Sequence, residues 1–333
     1  MVDDTDPEIV TTTPAFNLSV SGLHDPKKAE EFARLLGDYV HALGTALDLS
    51  RLAGMTVSDN YVEALTQVER GFETPHIVTR SENENMVGMA MCVQVLHDDV
   101  PMVHLVCEIS MLIPLYACEP GSDDHKRALQ MLAHECAHIE DLKRKDDAFP
   151  GVLLKQKVTS FFEAHFGPVA LSLWQEYYAC RRTAHFCRET GDDFAQVLVG
   201  CLDTNQKSVN EAIIRYRDHQ DLDRLVVETF DPATRAIRIA AYLIGHLDGL
   251  GEGLEIVPDV ANRLDGTQLG ELIEEIAVEL RRLWDMRNEW TGMSDLDNLA
   301  DLVCDTYAVA GVIATELPDG GAHLDVPYST ATV

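Results

Sequence analysis

No stretch of the 333-residue chain is long and apolar enough to cross a bilayer, so no helical membrane span is expected. Basic residues are scarce. The 26 Lys+Arg against 56 Asp+Glu leave a formal net charge of −30. Such a field repels phosphate backbones and disfavours direct nucleic-acid binding, while it draws in cations, whether a divalent metal or a basic peptide. The first residues, "MVDDTDPEIVTTTPAF", have neither the basic flank nor the apolar core of a secretory signal, and a cytoplasmic protein without a membrane partner is expected. The eight cysteines lack the paired C-x-x-C spacing of a structural zinc site and most sit within apolar runs, where buried reduced thiols are expected. There is no repeat of fixed period and no low-complexity tract.

What is present is ample material for a core: 46% of residues are apolar, enough for one long domain or two. Residues 1–15 read as a loose tail. Asp25 followed by Pro26 opens a helix to about Ala46, with Phe32, Leu35, Leu36, Tyr39, Val40 and Leu43 at helical spacing. A strand in "LDLSRLAGMTV" and a second helix capped by Ser58 or Asp59 and stopped by Gly71 follow. Residues 86–96 alternate Val87, Met89, Met91, Val93 and Val95, and with 101–113 predict an antiparallel hairpin, one face on a helix layer and one edge open. A strong helix runs from about 123 to 144, with Ser122 or Asp123 as its cap and Lys143, Arg144 and Lys145 in its last turn. A helical segment near 152–165 and a helix opened by Pro168 come next, and from 192 onward the pattern is helical throughout.

The strong helix carries "LAHECAHIED", in which His134 and His138 are one turn apart on one face and their rings can converge on one ion. Glu135 is offset by about 100° and reaches the open side of such an ion rather than the ion itself. Zinc lowers the pKa of a bound water toward about 7, and a carboxylate there can take its proton and pass it to a leaving amine.

In these residues the chain resembles the zincin metallopeptidases, in which a sheet with an exposed edge strand lies over the H-E-x-x-H helix. Asp141 and Arg144 stand where the metzincin extension needs Gly and His, so the resemblance is to the branch that takes a glutamate from a following helix, the gluzincins. Glu176 and Glu163 compete for that place, with His165 and Glu140 behind them. Glu176 sits among bulky apolar residues, where a metal would remove the cost of an unpaired carboxylate, and "Glu176-Tyr-Tyr-Ala179" is similar to the E-x-x-A pattern of the ImmA/IrrE-like metallopeptidases, compact intracellular zincins often paired with a regulatory protein. The resemblance covers residues 48–190 at most. It implies a small mixed or antiparallel sheet over the H-E-x-x-H helix, and with the helical pattern from 192 onward the expectation is an α+β fold, with a tail at 1–15, a zincin-like domain at 16–191 and an all-α helical domain at 192–333.

The expected function is zinc-dependent hydrolysis of a peptide or protein substrate, with Zn2+ on His134, His138 and Glu176, Glu135 as general base, and the peptide added as a strand along the hairpin edge. Tyr178 is a candidate for stabilising an oxyanion, and Tyr177 and Arg181 could do the same, although an aromatic pair on a helix is usually core. His185 is about 180° round from Glu176, Cys180 and Cys187 read as small core residues, and His104 and Glu108 as solvated positions. The helical half could dock a partner and narrow the substrate to one regulatory protein. Two other functions stay open: a metal-bound sensor or interaction protein that keeps the fold, and a non-peptide amidohydrolase.

Overall fold

A computed structural model of the chain describes residues 10–74, 77–80 and 87–332. Residues 1–9 of the expected tail, Met86 at the start of the expected hairpin and Val333 lie outside the described residues. The chain is a mixed α and β protein in two compact units, one ending at Leu154 and the other beginning at Lys155.

The first unit is built on a four-stranded sheet of β1 (Asn17–Val20), β2 (Leu52–Ser58), β3 (Ala90–His97) and β4 (Val100–Glu108), in the order β1-β2-β4-β3. β1 and β4 both run parallel to β2, and β3 pairs antiparallel with β4, so the sheet is mixed and β3 is an edge. The expected hairpin is present, turning through Asp98 and Asp99 at positive φ. Helices cover both of its faces rather than one. Val93, Val95 and Val106 pack with Tyr61, Ala64 and Leu65 of the short helix α2 (Tyr61–Thr66). On the opposite face Cys92 reaches the backbone of α5 (Asp123–Ala148), its Sγ 3.2 Å from the carbonyl oxygen of Glu135.

Helix α1 (Pro26–Leu43) starts as the cap pattern requires, with Asp25 accepting from the Lys27 N–H at 3.0 Å. Its end holds down part of the expected tail: Thr12 donates its N–H to Gly44 at 2.9 Å, and Thr13 is buried. α2 is shorter than expected, and its cap is Asn60. Gly71 has φ +73°, and a Cβ there would lie 2.1 Å from the Leu96 carbonyl oxygen, so only glycine lets the chain pass so close to β3. Two four-residue helices, α3 (Ile109–Leu112) and α4 (Pro114–Ala117), lead to Ser122, whose hydroxyl caps α5.

The second unit contains α6 (Phe161–Thr183), α7 (Thr190–His219), α8 (Leu222–Leu250), α9 (Pro258–Leu264), α10 (Gln268–Asp285) and α11 (Asp297–Val309). Pro168 lies inside α6 instead of opening a helix, and residues 152–160 are not helical. Ser160 caps the helix at Glu163, and the exposed Pro168 sacrifices one early backbone bond, while Phe166, a half-turn before it, packs against Phe161 and Phe162. Thus α6, expected from the sequence to belong with residues 16–191, shares its core with α8: a Cβ on Gly245 would stand 2.4 Å from the Tyr177 carbonyl oxygen. The all-α expectation fails at the C-terminal end, where β5 (Ile313–Glu316) and β6 (Ala322–Asp325) form an antiparallel hairpin. Each strand has only four residues: β5 is mostly exposed without apolar alternation, and in β6 the alternation of Ala322 and Leu324 with His323 and Asp325 is only two apolar residues long.

Candidate metal centre

His134, Glu135 and His138 are brought together on α5. All three are half-buried, on a turn anchored from behind by the fully buried Leu132, Ala133, Cys136, Ala137 and Ile139. The Nε2 atoms of His134 and His138 are 3.1 Å apart, with the rings edge to face at 87°. Two zinc–nitrogen bonds of about 2.0–2.1 Å at a tetrahedral angle put their nitrogens roughly 3.3 Å apart, so the pair has the spacing of two ligands of one ion. It is also the spacing of a hydrogen bond from one protonated ring nitrogen to one bare one.

Glu135 points to the sheet rather than along the histidine pair. One carboxylate oxygen is 3.6 Å from Cys92 Sγ on the edge strand. Burial pushes the Cys92, Cys107 and Cys136 thiols up, and the Glu135 charge pushes them further in the same direction. The Tyr61 hydroxyl is raised by the same two causes, and it is buried with no hydrogen-bond partner among the described residues. Cys92 is not expected at the site from the sequence. The hairpin register carries the only signal for Cys92: it pairs with Leu105, which places it on the face opposite Val93 and Val95.

Glu176 stands on α6 in the second unit, half-buried between Trp174 and Tyr177, both fully buried. Its charge helps raise the Cys180 thiol one turn on and acts on Arg238 of α8. Glu163 is engaged elsewhere, at the start of α6. Thr159 donates both its N–H (2.6 Å) and its hydroxyl (2.8 Å) to this carboxylate, which holds it below the usual carboxylate range. His165 stacks on Phe161 and hydrogen-bonds through Nδ1 to the Phe161 carbonyl at 2.9 Å, and Glu140 accepts from the Asp48 N–H at 3.1 Å.

Tyr178 is 3% exposed, with its ring against Trp174 and Trp284. Tyr177 and Arg181 join Asp248 in a polar network, the Tyr177 hydroxyl donating to Asp248 at 2.7 Å. His185 is exposed, and Cys180 and Cys187 are buried free thiols. His104 bonds Thr56 at 2.9 Å and Glu108 pairs with Arg80 at 2.8 Å, both on the α2 face of the sheet.

No protein family, curated protein or solved structure matches the chain. No helix among the described residues is long and apolar enough to cross a membrane.

Proposed function

We propose that the chain is a zinc-dependent peptidase of the zincin type, acting in the cytoplasm on a protein or peptide. The observation that carries this reading is the 3.1 Å approach of His134 Nε2 and His138 Nε2 on one turn of α5, with Glu135 beside them facing an edge strand. Glu176 is proposed as the third donor. Two imidazoles and one carboxylate are the donor set of a catalytic zinc site with a position left for water, whereas a structural site fills all four positions with protein.

A zinc ion on these residues would lower the pKa of its water toward about 7 and polarise the scissile carbonyl. Glu135, one residue from a ligand and offset around the helix, would then accept a proton from that water at a carboxylate oxygen and return it to the leaving amine. The substrate backbone adds to the free edge of β3. Arg70 closes one end of that edge: the Leu96 N–H donates to the Arg70 carbonyl at 2.8 Å, and the Arg70 side chain donates to the Gln94 carbonyl at 3.2 Å. Toward Cys92 and Ala90 no such backbone partner is present among the described residues, and this is the stretch beside Glu135. Tyr178, with its ring in the aromatic core, is given no step.

Competition between the two glutamates tests the site. Glu176→Gln is expected to weaken zinc binding roughly 10- to 100-fold, while Glu163→Gln leaves it unchanged, as read by competition with a chromogenic chelator. Equal affinities in the wild type and Glu176→Gln would remove Glu176 from the centre.

A further inference from the structure

The free edge of β3 is short, and arginine closes it at both ends. The Glu108 N–H donates to the Met89 carbonyl at 2.7 Å, so odd-numbered residues of this strand turn their backbone groups to β4 and even-numbered ones turn theirs outward. Of the outward groups, the Gln94 carbonyl and the Leu96 N–H are taken by Arg70. At the other end the Gly88 carbonyl accepts from Arg80 Nε at 2.9 Å, and Arg80 is itself fixed by Glu108 at 2.8 Å. Between these stops lie Ala90 and Cys92, both half-buried, whose backbone N–H and carbonyl groups have no partner among the described residues.

A peptide antiparallel to β3 satisfies both residues with three of its own, the first paired with Cys92 and the third with Ala90. Residues directly opposite share a face of the sheet, so the middle residue stands opposite Met91, on the α2 side. Met91 and Val78 both pack, half-buried, against the cluster of Tyr61, Leu65 and Val106. An apolar side chain set against Met91 takes more of this surface out of water, and a polar one forfeits that gain. The two outer residues point to the side of Glu135, past the small side chains of Ala90 and Cys92, and the chain charge of −30 favours basic ones there.

We propose that β3 takes a three-residue segment of a short peptide, its outer residues paired with Cys92 and Ala90 and its apolar middle residue set against Met91. The proposal rests on the reading of β3 as the edge that receives the substrate, and it narrows that substrate to what Arg70 and Arg80 leave room for.

The test uses the full-length Glu135→Gln protein, so that peptides are bound and not cleaved. Acetylated and amidated peptides centred on Lys-Leu-Lys and extended by serine to five, seven and nine residues are titrated and followed by amide 1H–15N shifts and hydrogen exchange. Saturating peptide should slow exchange of the Ala90 and Cys92 N–H groups at least about tenfold and leave Val93, which faces β4, unchanged. Affinity should vary by less than about threefold from five to nine residues, and replacing the central leucine by asparagine should weaken it about tenfold. Met91→Ser should shrink that preference. Unslowed exchange at Ala90 and Cys92, affinity that keeps rising past five residues, or equal binding of the leucine and asparagine peptides would overturn the proposal. Slowed exchange alongside a wild type that cleaves none of these peptides would refute the peptidase and still support the assignment of the edge.

Discussion

Glu135→Gln is expected to lower hydrolysis by about 10²–10⁴-fold and to keep the metal. Glutamine preserves the shape of the side chain and can still sit beside Cys92, but it cannot accept a proton from water and return it to an amine. The metal should survive because Glu135 is one residue past His134 on a helix, about 100° away from the shared face of His134 and His138. Comparing the cleavage products of wild-type and Glu135→Gln cells, with zinc measured in both purified proteins, checks the two halves together. Loss of activity along with loss of zinc would make Glu135 a ligand. If Glu135→Gln leaves the cellular function intact, the sensor or interaction function replaces the peptidase.

Asp141→Asn is expected to destabilise the first unit by about 3–5 kcal/mol, the range for breaking a buried ion pair from one side. Asp141 is fully buried on α5, 2.7 Å from the Lys145 ammonium and 2.7 Å from the Arg144 guanidinium, and Lys145 is itself 2% exposed. Burial pushes the Asp141 carboxyl up, but Lys145 and Arg144 pull it further the other way, down to about 2. Its unfolded value is about 3.9. The folded pKa is therefore the lower of the two, so the stabilisation is present above about pH 4 and is lost as pH falls toward 2. Urea unfolding at pH 7 should show the loss in Asp141→Asn. A series from pH 4 to 2 should show the wild type losing stability through this group and the variant lacking that part of the decline. A difference under about 1 kcal/mol at pH 7 would mean that the pair is replaceable in place.

The position where the metzincin pattern would require glycine is thus filled by the anchor of the helix that bears the histidine pair. Asp141 and Arg144 were legible as an exclusion, but their structural role was not, because it depends on Lys145 being buried at the end of a helix whose last turn reads as solvated. The helix itself was legible, since its serine cap, acidic first turn and basic last turn all agree. So was the β3–β4 hairpin, through its alternating valines and methionines. Pro168 misled because a proline inside a helix costs only one bond near its start, and the aromatic cluster around Phe166 outweighs that local signal. β1, β5 and β6 were not legible at four residues each. Within the site, the histidine pair follows from helical period alone. Cys92 comes to Glu135 only through the sheet register, and no local spacing contains that information.

The most direct test is zinc stoichiometry. Purified wild-type protein should contain about one zinc per chain and His134→Ala close to none, with both proteins folded by circular dichroism. A wild type without zinc, or a His134→Ala protein that holds as much as the wild type, would show that the 3.1 Å contact between His134 and His138 is a hydrogen bond within a helix and not two arms of a metal centre.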